Sequence, residues 1–415
     1  MKILIVGGGI GGLATALALH RIGIDVDIYE QAHELRELGV GINVLPHAIK
    51  ELAALGLLPA LDEAGIRTRE LIYANRLGQA VWRELRGVDA GYDVPQFSIH
   101  RGKLLGVLLH AVLDRIGASR LHTDHRLVNF EERHGRVTAI FEDRRTGKRA
   151  EAAGDGLIGA DGIHSQVRKI FYPEEGPPRW SGMMIWRGAI SWPVHEDGRT
   201  MVIAGGNAAK FVFYPIHFDP GQPDVRLTNW AVMARTGDGT GQPPRREDWS
   251  RLGRLEDALD FVEDSFRLDF VEPSEIIKAT GTFYEYPNCD RDPVPRWSFG
   301  RATLLGDAAH AMYPVGSNGA SQAILDAAAL ARHLTSGAVE EGFAAYDAER
   351  RPATAEIVHT NRRGGPEGVI DLVEARAPEG FDDLDAVASF AEREAIVRGY
   401  ASMAGYSREQ VNRRM

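Results

Sequence analysis

The sequence predicts an α/β fold with two sheets of different kind, one parallel and one mostly antiparallel, closed by a helical C-terminus. Three observations carry this. Residues 2–30 read as apolar strand, glycine turn, apolar helix and second strand; stretches at 210–218 and 226–234 alternate in character; and from 319 onward the pattern is mostly helical. At 415 residues the chain exceeds one ordinary domain, so two domains around a shared ligand site are expected.

Taken in order, KILIV (2–6) is a short buried strand, GGGIGG a turn, LATALALHRIG (13–23) an Ala-rich helix and IDVDIYE (24–30) a second strand, which together make a βαβ unit. At 73–97 and 179–280 the character changes. KFVFYPIHF (210–218) and RLTNWAVMA (226–234) read as antiparallel strands of a sheet covered on one face. Between them 98–178 returns to α/β character, with a helix near 102–116 and the strand DGLIGAD (155–161). The expected division is therefore 1–72, 98–178 and 281–363 for the parallel-sheet domain, 73–97 and 179–280 for the antiparallel one, and 364–415 for the helical segment. The charged stretch 381–414 is expected as surface helix, and PGQP and TGDGTGQPP (236–244) as exposed loops.

Composition removes several classes. Hydrophobic residues at 44% and charged residues at 26% suit a soluble protein, and no apolar run reaches the ~20 residues of a membrane helix. A formal net charge of −10 disfavours nucleic acid as partner. The single cysteine, Cys289, excludes an internal disulfide and a Cys-rich metal site, and the histidines lack ligand spacing, so no metal is expected. The glycines of MKILIVGGGIGGLATALALH interrupt what would be a leader's apolar core. That stretch reads as structure, and a cytoplasmic location is expected.

Three signals point to a dinucleotide. Gly7-x-Gly9-x-x-Gly12 lies between strand and helix, and Glu30 closes the second strand. In this Rossmann-like arrangement Gly7 makes the tight turn, Gly9 admits a pyrophosphate, Gly12 lets helix and strand pack, and Glu30 accepts from an adenosine ribose. NAD and FAD share that motif. The second signal is GADGIHSQVRK (159–169), where a strand ends at Asp161 and a helix begins near Ser165. The third is GDAAHAMYPVGSNGASQAI (306–324), which follows the apolar ATLLG (302–306). Strand ends on one edge of a doubly wound sheet face the ligand crevice, so three of them suit a long molecule, FAD. Asp307 would bind its ribityl or pyrophosphate region, and Gly316, Asn318 and Gly319 would turn backbone N–H groups toward the flavin, where a helix dipole stabilises negative charge. His310 is expected to brace this turn rather than act as a base.

At these motifs the chain resembles the FAD-dependent aromatic hydroxylases, the class A flavoprotein monooxygenases of the para-hydroxybenzoate and salicylate hydroxylase type. It is most similar to a bacterial phenazine-hydroxylating branch that acts on 5-methylphenazine-1-carboxylate. The likeness extends through ELGVGINVLPHA (37–48), QFSIHRGKL (96–104), MMIWRGAI (183–190), YPNCDRDPVPRW (286–297) and GDAAHAMYPVGSNGASQAILD (306–326). It implies that Arg101 contacts the FAD phosphate and ribityl region, that the backbone of Leu127 meets the adenine, and that Pro314 lies beside the flavin ring. It also implies that NADH or NADPH reduces the flavin and that O2 adds to give a C4a-hydroperoxyflavin, which hydroxylates an aromatic small molecule, with loss of CO2 where oxygen attacks a carboxylated carbon. No second GxGxxG marks a separate NAD(P)H domain.

Candidates for the substrate pocket are Trp186, Arg187, Met201, Phe213, Tyr214, Trp230 and Met233. For the aromatic and Met residues the competing reading is sheet core. Arg187, inside the apolar WRG, needs an anion or acceptor, either a substrate carboxylate or the flavin edge. A halogenase would want WxWxIP and a pocket lysine, and neither is visible. An NAD(P)H reductase without oxygen transfer and a non-catalytic flavin sensor stay open, as does the choice between monomer and homodimer.

Overall fold

The computed structural model describes residues 1–37, 39–246, 248, 250–263, 265–335 and 337–413. The last residues of the expected 381–414 helix and 364–415 segment lie outside them. The first sheet runs, edge to edge, Ser298–Phe299, Ala302–Leu304, Gly156–Gly159, Lys2–Val6, Asp25–Tyr29, Leu121–His122. Its pairs are parallel except the first, which is antiparallel. Helix Ile10–Arg21 is buried along most of its length, because Leu13, Ala16 and Leu17 meet Leu104 and Leu108 of helix Arg101–Arg115 and Leu330 of helix Gly319–His333 in one core. A three-stranded antiparallel sheet, Arg149–Gly154, Arg136–Asp143 and His125–Arg133, adds Val137, Ala139 and Phe141 to that core.

The second sheet has seven strands, ordered Phe283–Asp290, Arg179–Pro193, Val225–Arg235, Ala209–His217, Thr200–Gly205, Glu70–Asn75, Ala80–Leu85. Only Thr200–Gly205 and Glu70–Asn75 pair in parallel. This sheet reaches past residue 280, since Phe283–Asp290 pairs with Arg179–Pro193. Pro287 within that strand is tolerated because the strand is an edge.

Successive strand residues face opposite ways, and both faces are covered. Met184, Trp186, Phe213, Trp230 and Val232 form the outer face, packed on Ala258 of helix Leu255–Leu259 and on Ile276 and Ile277 of helix Pro273–Ala279. On the inner face Leu71, Tyr73, Met201 and Tyr214 share a core with Val369, Ile370, Val373, Ala388 and Val397.

That inner core corrects the surface reading of the C-terminal segment. Helices Gly368–Arg376, Phe390–Met403 and Arg408–Val411 carry apolar side chains inward, and Tyr400, Tyr406 and Val411 are buried with them. Each such side chain contributes about 1.5–3 kcal/mol. Even Arg393 is buried, its guanidinium donating to the carbonyls of Ala388 and Val81. Among the described residues no helix is long and apolar enough to cross a membrane.

Candidate functional site

The glycine turn separates into packing glycines and an open one. Gly7 has φ +109°, and a Cβ there would lie 2.3 Å from the Ala160 carbonyl oxygen; on Gly12 it would lie 2.0 Å from the Gly7 oxygen. These two bring strand, helix and the neighbouring strand end together. At Gly9 a Cβ would meet nothing within 4 Å. Gly9 is also the N-cap of helix Ile10–Arg21, and no side chain caps that helix, so its first-turn N–H groups are left for an anionic ligand. Glu30 folds over the turn, accepting from the amides of Gly8 and Ala32 at 2.7 Å each. The second lone pair of each oxygen remains for a ribose hydroxyl.

Further along the crevice, Arg101 opens helix Arg101–Arg115 and Asp307 follows strand Ala302–Leu304. Both side chains are accessible to water, yet the crevice walls enclose them. Enclosure raises the Asp307 pKa, an effect opposed by His310 and Arg101, and lowers that of Arg101, opposed by Asp307. Neither makes a side-chain hydrogen bond or ion pair among the described residues. Two facing charges without protein partners suit a ligand that bridges them.

The turn at 314–319 forms the far end. Pro314 is exposed, while Gly316 and Ser317 take positive φ of 68° and 57°. Gly319 opens a helix of 15 residues with no side-chain cap, and a Cβ on Gly319 would meet nothing within 4 Å. Asn318 is 0% exposed, and its side chain turns inward, donating to the Gly316 carbonyl and the Tyr400 hydroxyl. Whatever Asn318 offers a flavin comes from its backbone. Behind the turn, fully buried Asp326 accepts from the Gly306 amide at 3.1 Å and Arg350 at 2.8 Å, and pairs with His310 Nε2 at 2.6 Å. His310 therefore braces the strand end that carries Asp307.

Two expected cofactor residues are placed differently from the rest. Asp161 is committed to its own turn: one oxygen accepts from the Ser165 hydroxyl, the other from the amides of Gln166 and Val167. It fixes helix Gln166–Phe171 beside Gly7. Leu127 buries its side chain in the three-stranded sheet, where the register slips between Ile140 and Phe141 and leaves Val128 without an opposite residue. The His125 amide donates to the Glu30 carbonyl, so this irregular strand lies at the ribose end of the crevice.

Of the substrate candidates, Trp186, Phe213 and Trp230 belong to the outer face and are corrected to sheet core. Their neighbours require it: Trp186 stacks on Phe261 and donates to Glu285, and Trp230 donates to Thr280 at 2.9 Å. Met201 faces inward but lies under the C-terminal helices. Arg187, Tyr214 and Met233 remain on the inner face. Arg187 donates to Tyr286 at 3.0 Å, to the Gly41 carbonyl and to Asn229 at 3.5 Å, which leaves its Nε without a partner. Asn229 in turn accepts from the Gly41 amide at 2.8 Å. Arg187 thus joins the second sheet to strand Gly41–Val44 of the first domain.

A cavity of about 410 Å3 lies between the inner face and the 314–319 turn, with Met183, Met233 and Trp180 on one side and Tyr313 and Val315 on the other. Arg179, Arg235, Lys210 and Arg362 also line it. Two of these cations are spent: Lys210 pairs with Glu367 at 3.2 Å, and Arg362 pairs with Asp290 and Asp292 at 2.7 Å each. Arg179 reaches Asp292 at 4.0 Å, and among the described residues the Arg235 guanidinium donates to the Ser181 carbonyl at 3.4 Å and forms no ion pair. Sequence reasoning missed Met183, Arg179 and Arg235, because alternation alone does not say which face meets a ligand, and Tyr400, because its helix Phe390–Met403 reads as a charged surface segment.

A parallel sheet whose strand ends line a crevice of uncapped amides and facing charges, beside an aromatic and methionine cavity, defines an FAD-dependent oxidoreductase. The chain belongs to the family described as FAD binding domain, which matches residues 1–251 and 286–361, and it is a flavin-dependent monooxygenase. It is 42% identical over 364 residues to the phenazine 1,6-dicarboxylic acid hydroxylase PhzS of Lysobacter antibioticus, covering 87% of this chain and 89% of the relative. It is 31% identical over 342 residues to 3-hydroxybenzoate 6-hydroxylase 1 of Aquipseudomonas alcaligenes, with 80% of each chain covered. In fold it is similar to Klebsiella pneumoniae HpxO complexed with FAD and uric acid, with a TM-score of 0.74, 23% identity, and 97% and 96% of the two chains covered.

Asp307→Ala is expected to weaken FAD retention by the roughly 1.5–3 kcal/mol of a hydrogen bond to a charged group, about 10- to 150-fold in Kd. The flavin-to-protein ratio after dialysis measures it. A variant that keeps its full complement removes Asp307 from the site.

Proposed function

We propose that this enzyme uses NAD(P)H and O2 to hydroxylate an aromatic carboxylate, of a size and shape like a phenazine. One observation carries the reading: the cavity against the 314–319 turn combines apolar and aromatic walls with two arginines, Arg179 and Arg235, that have little else to bind. A flat apolar ring system with an anionic edge satisfies both halves, since the planar fork of an arginine at the cavity rim pairs bidentately with a carboxylate. The relative named as a phenazine dicarboxylic acid hydroxylase supports the same class.

Bound FAD supplies the chemistry, accepting hydride from NAD(P)H and activating O2 for transfer to the ring. The chain's own residues do the rest. Gly9 admits the pyrophosphate on a turn that Gly7 and Gly12 hold tight, Glu30 and the strand at Leu127 receive the adenosine end, and Arg101 and Asp307 hold the centre. Pro314, Gly316, Asn318 and Gly319 present the turn to the ring system. Met183, Met233 and Trp180 exclude water from the reacting edge, which favours oxygen transfer over wasteful release of peroxide. Arg187 holds the sheet at a fixed distance from strand Gly41–Val44. The same reading places the enzyme in the cytoplasm, where NAD(P)H is available, as a monomer or homodimer.

The test is the rate of flavin reduction by NADH and by NADPH without oxygen, with and without phenazine carboxylates, salicylate and 3-hydroxybenzoate. A phenazine carboxylate is expected to accelerate reduction by at least tenfold, and isotope from labelled O2 to enter the product. Fast reduction without any aromatic, and no label in product, would replace this reading with a reductase that transfers no oxygen. The product's mass then separates simple hydroxylation from hydroxylation with loss of CO2.

A further inference from the structure

Helix Phe390–Met403 belongs to the C-terminal segment, far in sequence from the flavin motifs, yet it reaches them through one side chain. Tyr400 is 3% exposed. Its hydroxyl donates to Asn361 Oδ1 at 2.6 Å and accepts from Asn318 Nδ2 at 2.9 Å. Asn361 Nδ2 donates to the Tyr313 carbonyl at 3.0 Å, so both ends of the turn are tied to one hydroxyl. Beyond Asn318 the chain of bonds continues: Gln322 donates to Asn318 Oδ1 at 3.1 Å, and Arg350 donates to Gln322 Oε1 at 2.6 Å and to Asp326 at 2.8 Å. A Cβ on Gly316 would lie 2.6 Å from the Tyr400 oxygen, so the turn and the phenol are in direct contact.

This arrangement explains a local strain. Ser317 holds φ +57° without being glycine, a conformation that persists only where the surroundings over-determine it. The residues on either side of it are the ones held: Asn318 donates to the Tyr400 hydroxyl and to the Gly316 carbonyl. Resting on the flavin reading above, we propose that Tyr400 is a positioning residue: its hydroxyl sets the place of the 314–319 amides, and through them the readiness of the bound flavin to accept electrons. Fixed N–H dipoles at a helix start stabilise the anionic reduced flavin more than the neutral oxidised one. Releasing the turn forfeits part of that difference, because dipoles that must reorient stabilise charge less than dipoles already aimed.

The experiment compares the midpoint potential of the FAD-loaded parent, Tyr400→Phe and Val397→Ala against a reference dye. Val397 is buried in the same helix but takes no part in the chain of bonds. Tyr400→Phe is expected to lower the reduction equilibrium constant about tenfold, which for a two-electron couple is about 30 mV, and to shift the flavin absorption bands. Val397→Ala is expected to lose stability and keep the parental potential. An unchanged potential in Tyr400→Phe, or an equal shift in both variants, overturns the proposal. Should Tyr400→Phe not fold, Asn361→Ser cuts the same tie at the Tyr313 end, with the same expected shift and the same overturning result. A parent that binds no FAD in titration overturns the flavin reading itself, an outcome distinct from a loaded parent and variant of equal potential.

Discussion

Gly12→Ala is expected to yield a chain that is destabilised even without FAD, while Gly9→Ala folds like the parent and fails only in binding. The added Cβ at residue 12 would lie 2.0 Å from a backbone oxygen of the tight turn, whereas at residue 9 it meets no protein atom within 4 Å. The first clash cannot be relieved by rotating a side chain, and forced overpacking typically costs 1–3 kcal/mol or more. The second places a methyl group where a pyrophosphate approaches the helix start. Urea unfolding of the two flavin-free variants, followed by FAD titration, separates the effects. Equal unfolding midpoints for Gly12→Ala and the parent would mean that the turn rearranges, and unaltered FAD affinity in Gly9→Ala would move the pyrophosphate elsewhere.

Asp326→Asn carries the second large effect. Asp326 is 0% exposed and joins Arg350, His310 and the Gly306 amide. Burial raises its pKa, but His310 and Arg350 outweigh that and bring it down to about 2. Removing the charge leaves Arg350 buried without its counter-ion, which costs about 3–5 kcal/mol. The sign with pH follows from the lowered folded value. The stabilisation is complete above the unfolded carboxyl pKa of about 3.9 and is lost as pH falls toward about 2. In the parent, unfolding free energy should therefore drop between about pH 4 and pH 2, and Asp326→Asn should show less of that drop from a lower plateau. Parallel pH curves for the two proteins would assign the acid sensitivity to other carboxylates.

Much of this molecule was legible in the chain because its signals are local. The glycine turn, the strand ending at Asp307 and the helix from Gly319 each announce themselves within a few residues, and alternation marked Ala209–His217 and Val225–Arg235 as strands. What alternation could not supply was parity. Trp186 and Arg187 are neighbours, as are Phe213 and Tyr214, so no pocket can receive both members of either pair. Only the helices at 255–259 and 273–279 decide which face is covered, and their claim on Trp186 and Trp230 is a tertiary fact. Phe283–Asp290 was hidden by Pro287, and the C-terminal core by charge. Val397 and Tyr400 sit at helical spacing, yet Glu and Arg residues crowd around them, and one of those, Arg393, is itself buried. A solvated face and a buried face bearing a paired arginine look alike until partners are known.

Gly41 gives the two domains a common gauge. A single added carbon there would come within 2.7 Å of Asn229 and of Ile216 and within 2.8 Å of Tyr214, all on the second sheet. The distance between the sheet and the flavin-binding domain is thus set by an atom that is missing, then locked by Arg187 and Asn229 on either side of it. Such a joint makes spacing and lining independent variables. Residues around the 410 Å3 cavity can be exchanged to admit a different ring system while the reacting plane keeps its height, so a new substrate needs new walls and not a new hinge.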